Sequence, residues 1–348
     1  MIRDLVIRDS VIRDSVIRDS VIPDSVIRDF VIPDLKETAL ALHRLLGIDL
    51  GVPDPSTLDG FYQEIGFTGG DHHWGPEGAP SQIVIEEAPY RQLLEMRLAC
   101  ESDEDLAVIA KNLGGIGVAS ELREGKLHVA DPVNKWRVVV EPCAVADISV
   151  QPQREINRPG ERNRLGKRPG VMVEPALRPP RRLGHVVVGT NDILATHKLY
   201  TEGLGFRISD IVGGLAFFTR CSPDHHNLLL TPGPVPYLNH YALEHDDIDA
   251  VCAAATRYLG AHEGTQIAGP GRHQIGGNIF WYLRDPSGTF FEYFADMDRI
   301  VDDEAWTIRE DWPMDDAWSL WGEKKQPEVF FKPDDMEEVI AGWNKYHG

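Results

Sequence analysis

The chain repeats itself, and that constrains its fold more than any other feature. One stretch opens with IDLGVPD at Ile48 and runs into STLDGFYQEIGF; another opens with LGHVVVGTND at Leu183 and runs into ILATHKLYTEGLGF. Both read as an apolar strand, a turn, an amphipathic helix and a closing Gly-Phe pair. Two further stretches, LLEMRLACESDEDLAVIAKNLGG and LNHYALEHDDIDAVCAAATRYLG, match in the same way, and each later reaches an Asp-Pro turn ahead of a final strand, DPVNKWRVVVEP and DPSGTFFEYFAD. Four units in two matching pairs imply an internal duplication. Short strands interleaved with single helices imply an α+β fold of paired βαβββ modules, four in total, forming two similar domains.

Boundaries follow from changes in composition. Residues 1–40 hold a pentapeptide tandem (IRDLV IRDSV IRDSV and onwards) without a 3.5 or 3.6 period. So few short copies leave little for a stacked core to bury, so a disordered or accidental extension is expected there. Residues 41–145 then form a first pair of units without chemistry of its own, and 146–180 a linker rich in Pro, Gly and Arg. Residues 181–300 form the second, chemically active pair, and 301–348 a Trp-rich tail whose aromatics pack across it.

The formal net charge of -20 argues against nucleic acid or anionic lipid as the main partner, because both would be repelled. No apolar run approaches the ~20 residues of a membrane span. Cys100, Cys143, Cys221 and Cys252 are scattered, with no CxxC pair, and read as small core thiols in a reducing cytoplasm. Neither a GxxxxGK[ST] loop nor a dinucleotide GxGxxG is present, so flavin and nicotinamide are not invoked. A small ligand, and further copies of the same chain in a homo-oligomer, are the expected partners.

The duplication allows an internal comparison. Where the third unit has His185, the first has Gly47, or Leu46 with a register shift of one; where the fourth has Glu292, seven residues after Asp285, the second has Val138, seven after Asp131. The stretch Gln92 to Leu98, which matches the surroundings of His240 in YLNHYALE, also lacks a histidine. A buried imidazole needs a partner for each ring nitrogen. Taken singly, these residues also suit a satisfied core histidine or a strand-end glutamate paired with arginine. Taken together, two imidazoles and one carboxylate on strands that return to a common centre make the facial triad associated with non-haem Fe(II), with three positions open; Mn(II) accepts the same donors.

GRHQIGGNIFWYLRDPSGTFFE at 271–292 extends the pattern. On these residues, 183 to 296 resemble the catalytic half of type I extradiol ring-cleavage dioxygenases, of the vicinal oxygen chelate superfamily, whose signature runs Gly-x-His, a spacer, an apolar residue, Tyr, two residues, Asp-Pro-x-Gly, a short gap and Glu. Trp281 departs from it where an aliphatic residue or Phe is usual. The resemblance implies that His185, His240 and Glu292 are the iron ligands. It implies that His226 in DHHNLLLT is an acid/base group beside oxygen; strand alternation puts its neighbour His225 on the opposite face. It further implies that Tyr282 helps to deprotonate the substrate and that His273 hydrogen-bonds the substrate's hydroxyl region. The implied reaction is O2-dependent cleavage of a catechol ring outside its diol, giving a muconic semialdehyde-type product in aromatic catabolism. Val187 and Phe218 match pocket positions that are apolar in the family's biphenyl-diol members, favouring a hydrophobic diol. No arginine clearly matches a carboxylate clamp, although Arg272, Arg284 and Arg309 are candidates if they converge. Two other readings are a metal-dependent isomerase or lyase of the same superfamily, and a ligand-sequestering module with no metal. GDHHWG at 70–75 reads as a surface turn.

Overall fold

The computed structural model describes residues 41–79, 81–145, 157, 160–168, 178–213 and 216–348. The pentapeptide extension lies wholly outside these residues, and the linker at 146–180 largely so.

Each half contains two βαβββ units. The first half comprises β1 (Leu42–Val52), α1 (Ser56–Glu64), β2 (Thr68–Gly70), β3 (His73–Gly75) and β4 (Ile83–Glu87), then β5 (Gln92–Cys100), α2 (Asp103–Gly115), β6 (Ser120–Arg123), β7 (Lys126–Ala130) and β8 (Arg137–Pro142). In the second half β9 (Arg182–Thr190) leads to α3 (Ile193–Lys198), which continues as a π-helical turn over Leu199–Gly203, and then to β10 (Arg207–Val212), β11 (Ala216–Arg220) and β12 (Leu228–Pro232). The last unit is β13 (Tyr237–Glu244), α4 (Ile248–Ala261), β14 (Gln266–Arg272), β15 (Ile279–Arg284) and β16 (Phe290–Ala295). The tail adds α5 (Met314–Trp318) and α6 (Met336–His347).

The two sheets run β2-β3-β4-β1-β5-β8-β7-β6 and β10-β11-β12-β9-β13-β16-β15-β14, so the second order is the first with eight added to every strand. The architecture is α+β with paired βαβββ modules, as the repeats imply. In both sheets the two central strands are antiparallel and each pairs in parallel with the last strand of its own unit. Every residue of β9, β13 and β16 is buried. Both faces are therefore covered, and the polar residues these strands carry, His185, Asn239, His240 and Glu292 among them, are buried with the apolar ones.

Helix starts are set by local side chains. Ser102 and Asp105 form a reciprocal capping box on α2, and Asp192 and Asp247 accept from Ala195 N and Ala250 N to open α3 and α4.

The halves exchange contacts through these helices. Phe61 of α1 meets Phe291 of β16 with ring centroids 5.0 Å apart and Tyr258 of α4 at 5.7 Å, and Tyr62 donates its hydroxyl to Tyr241 at 3.1 Å. In return, Trp136 Nε1 donates to the hydroxyl of Tyr200 in the π-turn at 2.8 Å, and Asn134 donates to Thr196 Oγ1 at 3.1 Å. Gly203 allows this approach, since a Cβ there would lie 2.8 Å from Leu113. Each fully buried aromatic contributes about 1.5–3 kcal/mol, so both exchanged surfaces are substantial. The tail also meets the first half: Met336, Val339 and Trp343 of α6 cluster with Tyr90, Val235 and Tyr237, and Arg91 pairs with Asp335.

GDHHWG forms the expected surface turn, with Gly70, Asp71 and His73 exposed, but it is also a strap. Asp71 and His72 adopt positive φ (49° and 65°) and turn β2 into β3. The hairpin buries Trp74, whose Nε1 donates to Asp59 Oδ1 at 2.7 Å and straps it to α1. All four cysteines are free thiols, and among the described residues no helix is long and apolar enough to cross a membrane.

Asp285 anchors the Asp-Pro turn and ends a chain of hydroxyls that begins in the first half. Its Oδ1 accepts from Ser287 N, Ser287 Oγ and Thr289 N, and its Oδ2 accepts from Tyr241. Burial pushes its carboxyl up to about 6 in spite of the donors from Ser287 and Tyr241. A carboxyl whose folded pKa exceeds its unfolded value stabilises the fold fully below about pH 4, and that contribution is lost as pH rises through about 6. The stability of the wild type relative to Asp285→Asn should therefore fall by about 3 kcal/mol between pH 4 and 7.5. Urea unfolding of both proteins at the two pH values checks this; a difference that stays flat or grows with pH contradicts it.

Candidate metal centre

Strand register collects the site on one face of the second sheet. Phe218, Leu229, Val187, His240 and Phe290 are successive cross-strand partners from β11 to β16. Two residues along, and so on the same face, His185, Ala242, Glu292 and Tyr282 are partners across β9, β13, β16 and β15. Asn239 is the extra residue of a bulge between Leu238 and His240, the kind of device that re-aims side chains beside a site.

His185, His240 and Glu292 are buried (1%, 4% and 0% exposed), and one donor atom from each lies within 4.8 Å of the others. Among the described residues this is the one such cluster. His185 Nε2 is 3.0 Å from Glu292 Oε2 and His240 Nε2 is 3.6 Å from the same oxygen. Outer partners fix the geometry. Asn239 Nδ2 donates to Phe330 O at 2.7 Å, which leaves its Oδ1 to accept from His240 Nδ1 at 2.9 Å. His240 Nε2 therefore carries a lone pair and has no hydrogen-bond partner, while Glu292 Oε1 accepts from Asn278 Nδ2 at 3.0 Å. A lone pair aimed at a carboxylate oxygen inside an apolar sheet is unfavourable unless a cation lies between them, so the donor set fits a divalent metal. Asn239 and Asn278 supply the outer hydrogen bonds that usually orient such ligands. Burial pushes His240 below the usual histidine range. Burial would raise Glu292, but the neighbouring imidazoles, His185 foremost, more than offset it and hold the carboxyl down to about 2.

Around these three lie the other expected residues. The His226 ring is 4.3 Å from His185 and 5.0 Å from Phe218, and burial, with the surrounding histidines, keeps it well below the usual range. Val187 stands beside His240 in register. His273 Nδ1 donates to Trp318 O at 2.6 Å, which makes His273 Nε2 the acceptor for the Tyr282 hydroxyl at 2.8 Å. Burial lowers His273 to about 4 and pushes Tyr282 well above 10. His225 is the exception: it does not occupy the far face of a strand. It lies in the turn before β12, with its Nδ1 3.1 Å from His226 Nδ1.

Arg272, Arg284 and Arg309 are each engaged by a different aspartate. They pair with Asp296, Asp334 and Asp311 respectively. Sequence reasoning missed Asn239, Asn278, Trp318 and Phe330. The first two sit inside motifs already singled out, LNHY and GGNIFWY. Trp318 and Phe330 come from the tail, where Trp318 stacks on Tyr282 at 5.8 Å and the Phe330 ring lies 6.1 Å from His240; no local pattern announces either.

The first half shows what occupies this place when the two imidazoles and the carboxylate are missing. Its central strands bulge at Leu46 and Leu94, as the second half's do at Gly184 and Asn239. That alignment puts Gly47, Arg97 and Val139 where His185, Ala242 and Glu292 stand; the counterpart of Glu292 is Val139, one residue beyond the expected Val138. Glu95 replaces His240 and bonds Arg137 at 2.8 Å, while Arg97 pairs with Asp49 and donates to Ser81 O at 2.6 Å. A Cβ at residue 47 would lie 2.5 Å from the Arg97 guanidinium. An ion cluster thus fills the space, and only glycine fits beside it.

Residues 182–293 match the Glyoxalase/Bleomycin resistance protein/Dioxygenase superfamily. Among curated relatives, Metapyrocatechase 2 of Cupriavidus necator is 36% identical over 155 residues, covering 44% of this chain and 48% of its own length. An iron-dependent extradiol dioxygenase of Rhodococcus jostii (strain RHA1) is 34% identical over 156 residues, covering 40% of this chain and 50% of its own length. The chain thus spans about half the length of the curated relatives it matches. The fold extends further than the sequence likeness: the Mn(II)-bound glyoxalase from Novosphingobium aromaticivorans superimposes with a TM-score of 0.64 at 21% identity, over 84% of this chain and 94% of that one. The inner face of the second sheet, with its two bulges and its three converging donors, lies within residues 182–293, the segment that matches the glyoxalase/bleomycin resistance protein/dioxygenase superfamily.

Proposed function

We propose that this chain cleaves the ring of a catechol-type substrate outside its diol, using O2 and a single Fe(II) held by His185, His240 and Glu292, to give a muconic semialdehyde-type product. The observation that carries the reading is the lone pair of His240 Nε2 aimed at Glu292 beside His185, all three buried on one sheet face with His226 and the Tyr282–His273 pair next to them. The name of the Rhodococcus relative supports both the metal and the reaction class. When bound, the metal would supply Lewis acidity to the adjacent oxygens of the diol and a common centre for diol and O2.

The protein's own groups divide the remaining work. The Tyr282 hydroxyl donates a hydrogen bond to His273 Nε2, so the lone pairs of its oxygen are free to accept from a substrate hydroxyl. His273 is held in that role because Trp318 O occupies its Nδ1–H. His226, its ring 4.3 Å from that of His185, is placed to exchange a proton on the oxygen side. Val187, Phe218, Leu229 and Phe290 give the face an apolar border that suits an aryl-substituted diol better than a carboxylated one, since the three candidate arginines are engaged elsewhere. A metal-dependent isomerase or lyase would use the same three donors but leaves the Tyr282–His273 pair without a task.

Anaerobic reconstitution of the full chain with Fe(II) or, separately, Mn(II), followed by oxygen and a panel of catechols, should yield a yellow ring-opened product, fastest with 3-aryl catechols. No colour with any catechol and either metal overturns the reading. His240→Ala should lose both bound iron and turnover, measured by metal analysis and initial rate. His226→Ala should retain iron and lower kcat by about 10²-fold or more; full iron and activity in His240→Ala contradicts the ligand assignment.

A further inference from the structure

Beyond the ligands and their immediate neighbours, the second half holds a hydrogen-bonded line that the proposed reaction has not used. Asp210 on β10 is the cross-strand partner of Phe218 and so extends the inner-face row outward. Its Oδ2 lies 3.0 Å from His225 Nε2, and His225 Nδ1 lies 3.1 Å from His226 Nδ1. All three residues are buried, between 0% and 4% exposed. We infer that Asp210 and His225 are positioning residues that hold His226 in the tautomer protonated on Nδ1, leaving Nε2 as its free basic nitrogen.

The assignment follows from donor and acceptor counting. An ionised carboxylate only accepts, so His225 must carry its hydrogen on Nε2. His225 Nδ1 is then a lone pair and can only accept from His226 Nδ1–H, which leaves the lone pair of His226 on Nε2. The line is built to be rigid. The Arg309 backbone N–H donates to Asp210 Oδ1 at 2.8 Å, which fixes which oxygen faces His225. His225 N is held by Asp298 O at 2.8 Å, and the Trp306 ring closes over the imidazole with centroids 5.6 Å apart. Gly276, at φ 69°, leaves the necessary room, since a Cβ there would lie 3.0 Å from His225 Nδ1.

The same geometry dictates what a single substitution does. In Asp210→Asn the Arg309 N–H still requires an acceptor, so the amide oxygen takes the place of Oδ1 and the NH2 faces His225. His225 Nε2 becomes an acceptor, its hydrogen moves to Nδ1, and His226 is forced to carry its hydrogen on Nε2. Both histidines change tautomer although no carbon skeleton has changed. The catalytic consequence rests on the proposed function, whereas the tautomer does not.

The test uses the full chain with 15N-labelled histidine. Long-range 15N–1H correlation spectra of the metal-free protein should show His225 protonated on Nε2 and His226 on Nδ1, both reversed in Asp210→Asn and unchanged in Trp306→Phe, which alters packing on His225 but not the hydrogen bonds of its ring. In Fe(II)-loaded protein, Asp210→Asn should keep its iron and its KM within about twofold while kcat falls about 10²-fold. A wild type with His226 protonated on Nε2, or an Asp210→Asn protein whose His226 tautomer is unchanged, overturns the inference whatever the activity. Reversed tautomers in Asp210→Asn beside a wild type that opens no catechol would support the positioning and sink the proposed reaction instead.

Discussion

The second half is organised around one carboxylate. Glu292 is fully buried on the central part of a sheet, and the two imidazole nitrogens nearest its Oε2 come from strands β9 and β13. Removing a charge from water costs several kcal/mol, and proteins tolerate it only when partners compensate. Here the compensation is divided: Asn278 serves one oxygen and the converging histidines face the other. Asn239, supplied by the bulge, fixes which nitrogen of His240 faces inward. Remove the cation that such a cluster calls for, and the same residues become a liability at the centre of the fold.

The first half resolves the same problem differently. Its inner face keeps the strand order and both bulges, but guanidinium groups take the place of ligands, with Arg97 and Arg137 paired to Asp49 and Glu95. Because each positive group is covalently part of the chain, nothing has to be acquired from solution. The two halves therefore place polar groups on the same inner face in two ways, as ion pairs in the first half and as a converging set of two imidazoles and a carboxylate in the second.

Much of this was legible in the sequence because duplication is written in it. The strand-helix-Gly-Phe repeats and the twin Asp-Pro turns located all four units, and comparing the halves singled out His185, His240 and Glu292 as residues the scaffold does not need. What could not be read depends on long-range geometry. The one-residue error between Val138 and Val139 arises because bulges change register without leaving a composition signal. Alternation puts His225 on the far side of a strand, but the residue lies in a turn, where alternation has no force. Trp318 and Phe330 reach the site from the tail, and Asp210 reaches His226 through an intermediary; neither relation has a fixed sequence spacing.

The crossed packing of α1 and α3 bears on how the two halves depend on each other. Phe61 and Tyr62 of the first half cover the outer surface of the strands that carry Glu292 and His240, and the π-turn of the second half packs in return on Trp136 and on Leu113 of α2. The first half is thus a wall of its twin, so a substitution on the inward faces of its helices would be felt in the second sheet even though it lies far from the donors there.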